Sequence, residues 1–129
     1  MRMKRRNVIN NIDGTISFYD SCVGEVFHSA FGAINESKHI FIQSSLDYYE
    51  SKTQLSILEI GWGTGLNSLL TLAWQQINKS NIYYTAIELF PLAKDEYELL
   101  NYHKYIPGIS RKDLLRFHEL NCWFYKEYL

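Results

Sequence analysis

Residues 59–67, EIGWGTGLN, set three of the seven glycines of this chain at every second position. Backbone that bare limits what can stand around it. The residues before it, QLSILEI (Gln54–Ile60), form an apolar run dense enough to predict a central strand of a parallel sheet, covered on both faces. After it, Leu66, Leu69, Leu70, Ala73, Trp74 and Ile77 follow the i, i+3, i+4, i+7 spacing of one helical stripe. A turn from the carboxyl end of a parallel strand into a helix lets a ligand approach backbone N–H groups at the helix start. A Cβ at Gly61 or Gly63 would stand where that ligand lies, and glycine also permits the positive φ angles of such a turn.

Spacing narrows the ligand. The dinucleotide pattern G-x-G-x-x-G needs its third glycine at position 66, which is Leu66. The glycines are instead Gly61, Gly63 and Gly65, with Glu59 two residues ahead, the E-x-G-x-G-x-G arrangement with which class I methyltransferases bind S-adenosylmethionine. NIYYTAIE (Asn81–Glu88) reads as a second buried strand, and Glu88 lies 27 positions after Gly61. A carboxylate there can accept both ribose hydroxyls of a nucleoside. The competing reading is a carboxylate near a helix start, facing the dipole of a helix opened by Pro91.

The remaining elements are weaker signals. Asp13-Gly14 marks a turn, TISFY (Thr15–Tyr19) alternates like a strand, and EVFHS (Glu25–Ser29) is its candidate hairpin partner. From about Ile34, the spacing of His39, Ile42, Leu46 and Tyr49 puts them on one helical face. Ser110-x-x-Asp113 is a capping box ahead of another helix. Strand, helix, strand, helix in this order predicts a right-handed βαβ unit and an α/β class.

With 129 residues, 47% of them hydrophobic, the chain can bury one core. A formal charge of −1 supplies no overall field to draw it onto nucleic acid, so any RNA contact needs a local patch. Cys22 and Cys122 have no metal or redox spacing and read as reduced thiols of a cytoplasmic protein. His28, His39, His103 and His118 show no H-x-x-x-H or H-E-x-x-H pairing, so no metal site is expected. No run approaches the ~20 apolar residues of a membrane span. The basic start MRMKRR precedes polar residues and no secretory apolar region. Residues 1–12 are therefore expected to be a flexible basic tail, and 13–129 the folded domain. The ten tyrosines, Tyr84 among them, are read as half-buried packing residues with wet hydroxyls.

Several stretches resemble the MnmC-like (MnmD) tRNA methyltransferase family. They are DGT (13–15), FHSAFGAINESKHIFIQSSL (27–46), ILEIGWGTGLNSLLT (57–71), IELFPL (87–92) and, more weakly, GISRKDLLRFHELNCWFYKEYL (108–129). Trp62 stands where the family form of the loop has phenylalanine. The resemblance implies methyl transfer from S-adenosylmethionine to the aminomethyl group of a modified wobble uridine in tRNA. Glu59, Gly61, Gly63, Gly65 and Asn67 would line the methionine end of the cofactor and Glu88 its ribose. Ser29 and Glu36 fall in the block expected to face the pocket; their alternatives are a turn hydroxyl and a solvated helix carboxylate.

Members of the family continue into further strands and a D-x-F-S-P segment carrying the carboxylate that faces the methyl group, and this sequence contains no such segment. The expected fold is the N-terminal half of a class I, Rossmann-like methyltransferase, preceded by a small β-hairpin and a helix, with no catalytic residue assigned. Its first strand would then have an unpaired edge, to be covered by self-association or by a second chain. Two functions stay open: a tRNA methyltransferase or its N-terminal piece, and a non-catalytic remnant that holds S-adenosylmethionine or a partner chain.

Overall fold

Two three-stranded sheets are present in the computed structural model, which describes residues 5–120 and the backbone of residues 125–128. The first is antiparallel: β1 (Arg6–Asn10), β2 (Ile16–Asp20) and β3 (Glu25–Val26), with β2 in the middle. Its first strand lies inside the expected tail, which is a correction to the sequence reading. Arg6–Asn10 pairs residue for residue with Asp20–Ile16, and Arg5 and Arg6 are used in ion pairs. Arg5 Nε lies 2.8 Å from Asp20, and Arg6 Nη1 lies 2.8 Å from Glu96. The hairpin of β2 and β3 is the expected one, cut short at Val26.

The expected helix from Ile34 to Tyr49 is broken. α1 (Ala33–Ser37) continues as a wider π-helical turn over Lys38–Gln43, and a 3₁₀ turn follows over Leu46–Tyr49. Ser44 ends the wide turn with its backbone N–H and hydroxyl both on the His39 carbonyl. Such local bonding competes with helix continuation, so the predicted face comes apart. Leu46 is buried, whereas His39 and Tyr49 are exposed.

β4 (Gln54–Ile60) and β5 (Asn81–Ile87) are parallel neighbours joined through α2 (Leu66–Asn78), within the bounds expected for both strands. β6 (Tyr125–Tyr128), which no sequence signal marked, pairs antiparallel with β5 on its other side. The helix expected at Pro91 begins later, as α3 (Lys94–Tyr97), and α4 (Arg111–Glu119) starts at the predicted capping box. There, Ser110 Oγ accepts the Asp113 N–H at 3.2 Å, and Asp113 accepts the Ser110 N–H at 2.8 Å.

α2 packs on two sides. Leu66, Leu69 and Leu70 belong to a core with Phe18, Ile34, Tyr102 and Leu114, while Trp74 joins Leu46, Ile82, Tyr84 and Ala86 over the sheet. Ile77, predicted as part of the stripe, is exposed in the last turn. No described helix is long and apolar enough to cross a membrane. Of the two cysteines, Cys22 is a free, exposed thiol and Cys122 lies outside the described residues.

The expectation that both sheet faces are covered does not hold. In a parallel pair, residues opposite one another share a face, and Ile82, Tyr84 and Ala86 occupy the one under α2. The other face carries Leu58 at 63% and Ile60 at 72% exposure, with Tyr83 and Ile87 beside them. β4 is also an edge of its sheet among the described residues. A contiguous apolar surface on an open strand favours association. The chain should therefore bind a hydrophobic dye such as ANS more strongly than a compact protein of its size, with most of the excess removed by Leu58→Thr with Ile60→Thr. Dye emission no greater than that of the control, or unchanged by the double substitution, would count against this role for the face.

Candidate functional site

The glycine loop begins where β4 stops. Its first two N–H groups, of Gly61 and Trp62, both bond the Ile87 carbonyl at the end of β5, at 2.8 and 3.3 Å. The loop is thereby tied to the tip of the neighbouring strand. Gly61, Gly63 and Gly65 all have φ between +57° and +80°, so the chain takes a left-handed step at every second residue before entering α2. The three glycines differ in what surrounds them. A Cβ on Gly61 would meet nothing within 4 Å, one on Gly63 would meet the Phe27 ring at 3.2 Å, and one on Gly65 would meet the Trp62 ring at 2.6 Å.

Glu59, Gly61, Gly63, Asn67 and Glu36 line one cavity of about 270 Å³. Gly65 does not line it: this glycine is packed against Trp62, which is buried and donates its Nε1–H to Ser68 Oγ at 3.1 Å. Glu88 lies in a neighbouring cavity of about 190 Å³, with Arg5, Arg6 and Phe90. Its carboxylate accepts from the Gly63 N–H at 2.8 Å and the Phe90 N–H at 2.9 Å, so in this structure it pins the loop to the residues after β5. Ser29 lies in a shallow cleft beside the first cavity, with Phe31, Asn35 and Glu36. Its N–H donates to Glu36 at 3.0 Å, and Glu36 lines both the cleft and the cavity.

The chemistry concentrates on Glu59. Asn67 Nδ2 donates to Oε1 at 2.9 Å, and the Tyr84 hydroxyl makes a short hydrogen bond to Oε2. Burial pushes this carboxyl above the ordinary range; the Tyr84 and Asn67 bonds pull it partly back, and the Glu88 charge adds to the rise. Asn67 Oδ1 is buried with no donor facing it. Turning the amide over would leave Glu59 facing an oxygen, so the amide orientation follows from the carboxylate. A buried carboxylate held only by neutral donors, beside an orphan acceptor, is an arrangement that a positively charged N–H donor would satisfy.

Thr64 holds the loop from three directions. Its hydroxyl pairs with His28 Nε2 at 2.8 Å and accepts from Tyr102 at 3.1 Å, while its carbonyl accepts from His118 Nε2 at 3.0 Å. The segment after β3, the segment after α3 and the end of α4 thus meet at one loop residue. Burial pushes His28 below the ordinary imidazole value, which keeps it neutral beside the cavity. Sequence reasoning missed His28, Thr64, Tyr84 and Phe27. For Tyr84 a signal existed, because the strand period puts it on the same face as Glu59 and one pair along. Among the described residues, no three His, Cys, Asp or Glu side chains are grouped to hold a metal ion. A groove of about 350 Å³ between α2 and α4 is larger than either cavity; neither Glu59 nor a loop glycine lines it, but Tyr84 and Ser68, which bond Glu59 and the Gly65 carbonyl, do.

No family model matches the chain. Over 89 residues, 65% of its length, the chain is 32% identical to the tRNA 5-methylaminomethyl-2-thiouridine biosynthesis bifunctional protein MnmC of Burkholderia thailandensis. The protein of that name from Burkholderia mallei is 29% identical over the same share. The chain spans 13% of the length of these curated relatives. Among solved structures, MnmC2 from Aquifex aeolicus superposes with a TM-score of 0.61 over 73% of this chain and 34% of that one, at 24% identity, a likeness of fold.

Proposed function

The chain belongs to the MnmC-like family over part of its length, and from that premise we propose that it binds S-adenosylmethionine at the glycine loop and serves methyl transfer to an aminomethyl uridine in tRNA. Its fold is then the first half of a class I methyltransferase domain, completed in the cytoplasm by further polypeptide against the open edge of β4. The observation that carries this reading is the Asn67 Oδ1 acceptor, buried without a donor next to the Glu59 carboxylate. The ammonium of a bound methionine moiety would supply an N–H to Asn67 Oδ1 and a positive charge to the Glu59 carboxylate, whose two oxygens each hold one neutral donor.

When bound, the cofactor would supply an electrophilic methyl group on a sulfonium. The residues of the chain bind and orient. Glu59 and Asn67 take the amino-acid end, Gly61 leaves room above its Cα, and Glu88, with lone pairs left beyond its two backbone bonds, takes the ribose. Glu36, between cavity and cleft, is placed to orient the amine of an incoming substrate, with Ser29 at the entrance. Positioning of this kind accounts for most of what a protein adds to an in-line transfer.

Calorimetric titration of the purified chain with S-adenosylmethionine tests the proposal. Saturable binding is expected, abolished by Glu88→Ala and weakened about ten- to a hundredfold by Glu88→Gln, which keeps one acceptor but loses the charge. Affinity should rise with pH through the elevated Glu59 titration. The cation prefers the ionised carboxylate, so below that range binding must expel a proton. Glu59→Gln should flatten the profile. A soluble, folded chain that gives no heat with the cofactor would sink the proposal. The bare face at Leu58 and Ile60 favours a second reading, in which the chain holds ligand or partner without transferring methyl groups. Labelled-methyl incorporation into tRNA separates the two.

A further inference from the structure

A ligand that reaches from Glu59 to Glu88 has to cross Gly63, and in this structure a phenyl ring lies there. Phe27 follows β3 directly, and its backbone N–H bonds the Phe18 carbonyl at 2.9 Å, so its Cα is fixed to β2. The side chain leans the other way. A Cβ placed on Gly63 would sit 3.2 and 3.4 Å from ring atoms Cδ1 and Cε1 of Phe27, so the ring covers the open side of the second glycine. The ring is held there by an edge-to-face contact with Phe18, centroids 6.4 Å apart at 89°, and by the Arg6 guanidinium 5.8 Å from its centroid.

Phe27 is also the residue common to the two cavities. It lines both the one that holds Glu59 and Asn67 and the one that holds Glu88 and Phe90. At about 270 and 190 Å³, each falls below the ~300 Å³ at which pockets for drug-sized ligands begin, and together they pass it. We infer that the Phe27 ring is a movable partition in the ligand groove, which closes the passage over Gly63 until a ligand spanning both compartments turns it aside. The inference rests on the cofactor reading given above and makes Phe27 the residue that sets affinity for spanning ligands. Ligands confined to one compartment do not meet the obstacle.

The energetics follow from population shift. If only conformers with the ring turned can accept a spanning ligand, the apparent affinity falls by the fraction of such conformers. What the ring gives up on turning is chiefly its contact with Phe18, an aromatic pair whose usual worth corresponds to roughly a two- to tenfold change in an equilibrium constant. Removing the ring should return that factor to spanning ligands alone.

The test is calorimetry of the full chain and its Phe27 variants with three probes: S-adenosylhomocysteine, methionine and adenosine. Phe27→Ala should tighten S-adenosylhomocysteine roughly two- to tenfold relative to any change in either fragment, since the lost wall contact is common to all three probes and the passage matters to the spanning one alone. Phe27→Trp should weaken the spanning probe more than either fragment. Because Phe27 packs on the core, Phe27→Leu serves as a gentler truncation, and thermal melts confirm that each variant is folded. Wild-type binding of the spanning probe that Phe27→Ala or Phe27→Leu leaves unchanged or weakens relative to the fragments overturns the partition and makes the ring an ordinary wall. A folded chain that binds none of the three probes in any variant overturns both the partition and the cofactor reading, and the fragment titrations tell that outcome from the first.

Discussion

Arg6→Ala should lower the stability of the chain by about 3–5 kcal/mol, the range for removing one partner of a buried ion pair. Arg6 has its side chain 6% exposed, and Glu96, at 10%, answers it across 90 positions of sequence. The guanidinium does more than neutralise. Nη1 donates to Glu96 Oε2 at 2.8 Å, Nη2 makes a short bond to the Phe90 carbonyl, and Asp20 lies 3.8 Å from Nε. Glu96 in turn accepts the Ala93 N–H at 2.9 Å, which ends the loop before α3. Alanine at position 6 would leave that carboxylate in a buried site with a single backbone donor, and β1 would lose its tie to α3. Urea denaturation of wild type, Arg6→Ala, Glu96→Leu and the double variant measures the effect. The double loss should be clearly smaller than the sum of the single losses, since most of each single penalty is the charge left behind. Additive losses, or a single loss under about 1 kcal/mol, would place the pair among ordinary surface contacts.

That ion pair also explains where sequence reading stopped. A basic start followed by asparagines carries no strand period, and nothing near Arg6 in sequence announces an acidic partner on α3. β1 exists because of a contact that only the folded chain brings together. The elements that were legible are those whose signal is local. The bounds of β4 and β5 follow from dense apolar and aromatic runs, α2 from its stripe, and α4 from a reciprocal cap within four residues. Ile77 satisfied the helical period yet lies beyond the reach of either core, because the period says nothing of where the neighbouring layers end. Apolar density likewise could not tell a strand covered on two faces from one covered on a single face. Leu58 and Ile60 read as buried and are not.

For the site, one motif was legible and its surroundings were not. The glycine spacing located the loop, and Glu59, Gly61, Gly63 and Asn67 do meet around one cavity. Glu88 was chosen by position, yet the same position puts its carboxylate on the Gly63 and Phe90 N–H groups and in the adjoining cavity. The supports of the loop come from His28, Tyr102 and His118, three side chains far apart in sequence that converge on Thr64. No spacing rule ties them together. Each reads alone as a scattered polar or aromatic residue, and only the packing of three layers on the loop gives them a common role.

The three glycines, alike in sequence, should separate sharply under substitution, and Gly65→Ala should be the most damaging, at about 3 kcal/mol or more. Gly65 has φ +77°, where an L-residue loses roughly 1–2 kcal/mol. Gly61, at φ +80°, carries that backbone penalty as well but has open space around its Cα. At Gly65 the new methyl group would stand 2.6 Å from Trp62 Cζ2 and 3.0 Å from Cη2, and the indole has nowhere to retreat. Its Nε1–H is bonded to Ser68, and His118 lies 4.5 Å from its ring centroid, itself stacked on Tyr97 and bonded to the Thr64 carbonyl. Overpacking of a fixed core typically adds a further ~1–3 kcal/mol. The tryptophan supplies the control, since the clash is with the outer ring of its indole. In a Trp62→Phe background the methyl group has room, and Gly65→Ala should then fall to the backbone penalty it shares with Gly61→Ala. Urea midpoints for the four members of this cycle give the coupling directly. A loss at Gly65 that stays the same with phenylalanine at position 62 would mean that backbone conformation alone demands the third glycine, and that the fit of the indole against the loop contributes nothing.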